Sequence, residues 1–244
     1  MRVKNTLSVT APAVEPITLD EALRFCRVDD GDESALVQTL IAVAREQVEL
    51  TTGTALISQQ FKLIGPSWAD LFRDDDNSGD ILPGSFRGVV SGGVLDYRFS
   101  GRRADWNTVF FDRSPLLSVD SVQYYDLTET LATFDPSNYL PINVQTPVEG
   151  ALNPSPQTGG ISIKSTAGWP SVYDRPDAVQ ITFTSGFGTL PSHVPQNLRH
   201  AMLFLVKHFY DNRDAFTVAS GSAIELPWSV KHLLESRKSG GWVS

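Results

Sequence analysis

The sequence predicts an α+β fold. N- and C-terminal helices form a small helical bundle, and a long antiparallel β insertion, a sheet or small sandwich, lies between them. Three observations predict this. Residues 33–52 carry apolar side chains at helical spacing, and residues 195–213 do the same. Between 57 and 184 the pattern changes to short β-branched and aromatic runs, broken by Gly, Pro, Asp and Asn. Each helical stripe needs an apolar partner, and the two stripes are the obvious partners for each other.

Residues 1–16 hold prolines at 12 and 16 and little periodicity, so they read as an extended arm. Thr18 suits a helix N-cap, and Glu21 stands three residues on, as a capping box requires. Asp20 and Glu21 also favour the positive end of the helix dipole. The run Asp29, Asp30, Gly31, Asp32 breaks this short helix near Arg27, and Asp32 is placed to cap the next. Over 33–52, Leu36, Val37, Leu40, Ile41, Ala44 and Val48 mark the inward stripe. Gln38, Arg45, Glu46 and Glu49 fall largely elsewhere, and Gly53 occupies the C-terminal cap position.

Strands are predicted over 57–64, 93–99, 106–111, 117–125, 130–134, 138–143, 160–164 and 178–184. In the last, Val179, Ile181 and Phe183 share one face. Two loops interrupt the series, an acidic one at 73–80 and a Pro/Gly-rich one at 146–160. Helix returns at Pro195, a good first-turn residue, with Leu198, Ala201, Met202, Leu205, Val206 and Phe209 on a broad stripe that Leu203 and Phe204 widen. Pro227 opens a last short helix with Val230, Leu233 and Leu234 inward. The expected organisation is an arm at 1–16, a helical subdomain from 17–55 plus 191–236, a β subdomain at 56–190, and a flexible tail at 237–244.

Composition excludes several function classes. The 244 residues suffice for a sizeable core, and the longest apolar run, residues 201–206, is far too short to span a bilayer. The first 16 residues lack the apolar stretch of a secretory signal. One cysteine, Cys26, makes no internal disulfide. A net charge of −8 disfavours tight nucleic-acid binding. The basic cluster Arg98, Arg102 and Arg103 stands among acids and reads as a solvated loop.

Chemistry-bearing motifs are sparse. His200 and His208 lie over two turns apart on one helix, too far to share a metal without outside ligands, and His193 and His232 stand apart in sequence. Asp74, Asp76, Ser78 and Asp80 resemble the first half of a calcium loop. Ser85 takes the position where the closing bidentate Glu belongs, which leaves Asp74, Asp76 and Asp80 as a weak cation-site candidate in a solvated hairpin. "GFGTLP", 186–191, mimics a dinucleotide loop, but Pro191 replaces the third glycine and the preceding strand is antiparallel in type. Its glycines read instead as positive-φ positions where sheet hands over to helix. No Gly-x-Ser-x-Gly or phosphate-binding Gly-rich loop occurs. No catalytic residue, cofactor or metal is therefore assigned. Trp106 and Trp169 are assigned to the β core or its edges.

Taken together, "ITLDEALRFCRVDDGDESALVQTLIAVAREQVELTTGTALISQQF" resembles the N-terminal signature of tailed-bacteriophage head–tail connector (adaptor) proteins. That family has a Leu-rich short helix, an acidic D-x-x-D-E break and a long helix ending in TG-x-x-L/I. "FDRSPLLSVDSVQYYDLTETLATFDPSNYLPI" is similar to the family's Pro-then-SV-x-YYD hairpin. "RPDAVQITFTSGFG" with "VPQNLRHAMLFLVKHFYDNRDA" is similar to its strand, Gly turn and C-terminal helix. The likeness covers nearly all of residues 16–234. Segment 65–104 is longer than the family's, and 235–244 have no counterpart.

The resemblance implies a non-enzymatic structural protein of the virion head–tail junction, present in the host cytoplasm during assembly. It implies a ring of about twelve subunits built through heterologous interfaces. The ring docks on the portal protein, meets a tail-proximal stopper or tail terminator protein, and passes double-stranded DNA through its lumen without specific binding. It implies no membrane partner. The tail "KSGGWVS" carries an apolar tip on flexible glycines, so Trp242 and Val243, with Trp228, are the partner-binding candidates. Two other classes stay open on residues alone: a β-sandwich carbohydrate-binding module, and a hydrolase built on paired acids.

Overall fold

The computed structural model describes residues 5–28, 33–72, 107–149 and 157–212, the backbone of 89–91 and 94–96, and residues 230, 233 and 234. In chain order the elements are β1 (Asn5–Ser8), α1 (Leu19–Cys26), α2 (Ser34–Thr52), β2 (Gln59–Gly65), α3 (Trp68–Leu71), β3 (Val89–Ser91), β4 (Val94–Asp96), β5 (Thr108–Phe110), β6 (Leu116–Tyr125), β7 (Leu131–Thr133), β8 (Tyr139–Ile142), β9 (Gly160–Ile163), β10 (Val179–Ser185) and α4 (Gln196–Asp211). The class is α+β, with helices from both ends of the sequence and antiparallel sheets between them.

The capping box at Thr18 forms as the spacing predicts. The Glu21 N–H donates to Thr18 Oγ1 at 3.2 Å, and the Thr18 N–H donates to Glu21 Oε2 at 2.8 Å. Arg27 closes α1 in the left-handed region at φ 57°. Gly53, at φ 66°, closes α2 by donating its N–H to the Glu49 carbonyl at 3.0 Å. Helix α4 starts one residue later than expected, with Pro195 at the cap rather than in the first turn.

The helices enclose an aliphatic core. Val37, Ile41, Ala44 and Val48 of α2 meet Leu198, Ala201, Met202, Leu205 and Val206 of α4, with Ala22 and Cys26 of α1 beside them. Val230 and Leu234, both helical, are fully buried in the same cluster. The two stripes, separated by about 150 residues, therefore do pack on each other.

The β part contains a five-stranded sheet in the order β1-β2-β10-β6-β7 and a three-stranded sheet in the order β5-β9-β8. All of these pairings are antiparallel, as is a separate β3-β4 hairpin. The register puts Phe61, Leu63, Val122, Val179, Ile181 and Phe183 on one face of the large sheet, where they share a core with Val109, Ile161, Ile163 and Tyr139 of the small one. Aromatic rings dominate this core. Phe183 stacks on Phe111 at 4.1 Å and lies 5.8 Å from Phe61. Trp68 of α3 stacks on Trp169 at 4.3 Å and donates its indole N–H to the Pro170 carbonyl at 2.9 Å. Trp169 is thus the core-edge residue the sequence suggests, while Trp106 lies outside the described residues.

Sheet passes to helix through Gly186 (φ 145°) and Gly188 (φ 150°), as expected. A Cβ on Gly186 would stand 2.6 Å from the Ser58 backbone nitrogen and 2.7 Å from the Ile57 carbonyl oxygen. The turn is pinned there because Phe187 enters the helical core beside Leu56 and Ile57.

Two expectations for α2 need correction. Leu36 is not inward but 37 % exposed, and the buried stripe runs through Val37, Ile41, Ala44, Arg45, Val48 and Thr52. Arg45, read as a polar-side residue, is only 8 % exposed because three glutamates surround its guanidinium. Three elements lacked any sequence expectation: β1, which hydrogen-bonds part of the extended arm to β2, the single turn α3, and strand β3.

Candidate assembly surfaces

The helical body is tied together by polar pins between distant segments. Arg199 of α4 donates through Nε to the Pro16 carbonyl at 2.9 Å and through its terminal nitrogen to Glu21 Oε1 at 2.6 Å. Glu21 therefore caps α1 and anchors α4 at once. Partial burial pushes its carboxyl up, but the Thr18 N–H and the Arg199 guanidinium outweigh that and hold it below the usual glutamate range. At the other end of α4, the Tyr210 hydroxyl donates to Glu33 beside the start of α2.

A second set of pins joins helix to sheet. Arg45 bonds Glu15 and Glu49 at 3.0 Å each, with Glu46 at 3.6 Å. The other Glu49 oxygen, Oε1, accepts the Leu56 N–H at 2.9 Å and the Gln59 side-chain amide at 2.8 Å. Arg113 donates to the Glu49 carbonyl at 3.3 Å. Burial pushes the Glu49 and Glu15 carboxyls above their ordinary value, although Arg45 opposes it in both. Glu15 faces the Arg45 guanidinium, and Glu49 faces it together with the Leu56 N–H and the Gln59 amide, so the two acids form a structural junction.

The outer faces differ. On the large sheet, Lys62, Thr182 and Ser121 align in register, as do Ile64, Gln180 and Gln123. A bulge between Thr182 and Phe183 sets Asp120 outward. Its carboxylate accepts from Gln60 at 2.9 Å, Thr184 at 2.9 Å and Ser118 at 2.7 Å, stitching β2, β10 and β6 together. The middle of this face is polar around Asp120, while Leu7 and Ile64 are apolar toward the β1 edge. Helix α2 presents the opposite case. Leu36, Val43 (43 % exposed) and Leu50 (72 % exposed) recur every seven residues on its solvent side. Thr39 and Gln47 lie between them, and the exposed Glu46, one turn from both Val43 and Leu50, borders the stripe. The ridge runs about 21 Å at the helical rise.

A shallow depression of about 410 Å³ lies along the α1–α4 seam, lined by Ile17, Glu21, Gln196, Asn197, Arg199, His200 and Leu203. It holds one carboxylate, Glu21, already bonded to Thr18 and Arg199, so it lacks the facing acids of a hydrolase. Nor do the described tryptophans make a sugar platform: Trp68 and Trp169 stack on each other against the β core. Among the described residues no cluster of three His, Cys, Asp or Glu is arranged to hold a metal ion. Among them, too, no helix is long and apolar enough to cross a membrane.

Trp228, Trp242 and Val243, and the loop acids Asp74, Asp76 and Asp80, all lie outside the described residues, as do His232 and the Arg98, Arg102 and Arg103 cluster. His193 packs its ring under Gly188 and accepts the Leu190 N–H through Nδ1 at 3.4 Å. His200 meets Phe25 and Phe204 edge-on, and His208 lies beside Phe209 and Asn212. The sequence reading missed the α2 outer ridge. Its signal was the i, i+7, i+14 spacing of Leu36, Val43 and Leu50, hidden because Leu36 also fits the inward stripe.

No family model and no curated protein matches this chain. Solved structures do. A chain of the neck of an empty gene transfer agent (GTA) particle, computed with C6 symmetry, superposes with a TM-score of 0.63 at 19 % identity, over 98 % of this chain and 97 % of that one. A chain of the native gene transfer agent virion gives 0.61 at 17 % identity over the same shares. A chain of the native neck computed with C12 symmetry gives 0.56 at 17 % identity, again over 98 % and 97 %. The chain has the fold of these neck proteins across its whole described architecture.

Proposed function

We propose that this protein is a structural head–tail connector (adaptor) of a phage-like particle. One observation carries the reading: near-complete mutual coverage with neck chains of gene transfer agent particles, in a sequence that independently resembles connectors. A connector needs no reaction centre. It needs rigid subunits with surfaces left for neighbours, and the polar pins and the bare α2 ridge fit that need.

In this reading the subunits form a ring of about twelve through heterologous contacts, docked on the portal protein and met on the tail side by a stopper or terminator protein. Double-stranded DNA passes through the lumen, and the net charge of −8 favours passage over retention. The subunits assemble in the host cytoplasm and end in the virion. Trp228, Trp242 and Val243 are proposed portal contacts, with the helical subdomain (17–55 and 191–236) as the ring block and the β subdomain (56–190) directed outward.

Deleting the gene in a producing cell tests this. The expected result is separate heads and tails, with joined particles restored by the intact gene. Purified protein mixed with isolated portal should form a complex whose mass corresponds to many copies. Joined, infectious or DNA-transferring particles made without the protein would overturn the proposal. Loss of residues 238–244 should weaken portal attachment while leaving the fold intact.

A further inference from the structure

The α2 ridge deepens the connector reading, on which it rests. A helix that is apolar on two opposite faces is normally buried on both. Here one face, through Val37, Ile41, Ala44 and Val48, fills the helical core, while Leu36, Val43 and Leu50 face solvent. The strip, bordered by the exposed Glu46, is as long as the contact zone of a helix pair, and nothing else in the described chain covers it.

We propose that the ridge seats in the α1–α4 seam of the adjacent copy of this chain, making the head-to-tail contact that closes the ring. Three observations select that occupant. First, the two surfaces face opposite ways. Helix α2 packs against α1 and α4 through its inner stripe, so its ridge points away from both. On α4, Gln196, His200 and Leu203 lie opposite the buried Leu198, Met202 and Leu205, so the seam points away from α2. A subunit with two different complementary faces on opposite sides assembles into a closed ring or a filament, not into a two-fold dimer.

Second, the surfaces match in character. The seam offers the half-buried Leu203 in a depression floored by the buried Ile17 and rimmed by polar side chains. The exposed Glu46 carboxylate flanks the ridge, and the exposed His200 imidazole stands at the seam mouth. Third, the middle of the sheet's outer face is a poorer seat, since Asp120 bonds Gln60, Ser118 and Thr184 there and the apolar Leu7 and Ile64 lie toward the β1 edge. The contact also explains the pins at this seam. Arg199, Glu21 and Thr18 fix the spacing of α1 and α4, and hence the width of the groove a neighbour must enter.

The test uses the full-length protein in producing cells. Leu50→Asp and Val43→Asp should lower incorporation into particles by about tenfold or more. Circular dichroism should be unchanged, and Tm should stay within about 2 °C of wild type for Leu50→Asp. Cysteines at Val43 or Leu50, combined with one at His200 or Leu203, should give a ladder of covalent multimers when assembled particles are oxidised. Either cysteine alone should give none; native Cys26 is buried and silent. Normal incorporation of both Asp variants would overturn this inference and leave the connector reading standing. Loss of incorporation with no ladder from any pair would overturn the seam as the seat. Dimers from a single α2 cysteine would show a two-fold α2–α2 contact and overturn the head-to-tail arrangement. Wild-type protein absent from purified particles would overturn the connector reading itself, and this inference with it.

Discussion

The helical and β cores of this molecule are held by different physics. The β core is built from large rings: Phe183 between Phe111 and Phe61, and Trp68 on Trp169. The middle of its outer sheet face is polar, with Asp120 bonded to Gln60, Thr184 and Ser118. The helical core is aliphatic, gathered from segments more than 150 residues apart, and fixed by charged pins at its margins. Its outer α2 face stays apolar. The difference teaches where each part spends its adhesive surface. The β part turns most of its rings inward and leaves scattered apolar side chains such as Leu127, Leu131 and Leu140 exposed, whereas among the described residues the helical part exposes an aligned apolar strip along α2.

The largest effect should follow from Phe183→Ala. It empties a fully buried ring site touched by two stacked partners and should cost about 3–5 kcal/mol, read from urea denaturation. A loss under about 1 kcal/mol would mean that the aromatic stack is not what holds the sheets together.

Glu49→Ala should come next, at about 2–4 kcal/mol. It strips Arg45 of one buried partner and leaves the Leu56 N–H unsatisfied. Because Glu49 joins the two cores, this variant should also split a single unfolding transition into two. A single transition at lower Tm would show that the cores remain coupled without it. Arg199→Ala should cost about 1–2 kcal/mol, discounted because Glu21 is substantially exposed. Hydrogen exchange should speed up in α1 first.

The pH dependence should be smaller and opposite in sign for the two sets of pins. The Glu15 and Glu49 carboxyls are raised in the folded state, mainly by burial. They therefore favour folding most below the ordinary glutamate value, and that contribution is lost as pH rises through their folded values. Glu21 is lowered, so its contribution is present above the ordinary value and lost as pH falls through its folded value. Tm should rise slightly from neutral pH toward about 5, then fall below about 4. Glu49→Gln should flatten the first limb and Glu21→Gln the second. A monotonic profile unaffected by either would remove these pins from the account.

Much of the fold was legible because its signals are local. Thr18 with Glu21, Gly53 after a helical stripe, and the alternation of Val179, Ile181 and Phe183 each report a conformation fixed within a few residues. What escaped depends on distant partners. Strand β1 has four residues and no alternation, and only β2 makes it a strand. Helix α3 is one turn, too short for periodicity, though Ser67 caps it. Arg45 looks solvated until Glu15 arrives from the arm, although its position four residues from both Ile41 and Glu49 was a usable sign. The partner-binding candidates were chosen for apolar tips near the C-terminus, while the ridge was masked because Leu36 fits two faces equally well on a helical wheel.

The late position of α4 in the chain has a consequence for synthesis. During translation, α1 and α2 leave the ribosome long before Leu198, Met202 and Leu205 exist to cover them, and the β strands between can pair in the meantime. The seam with Leu203 and His200 is created only when α4 docks. On the proposed contact, a nascent polypeptide has no socket to offer another until α4 has been made.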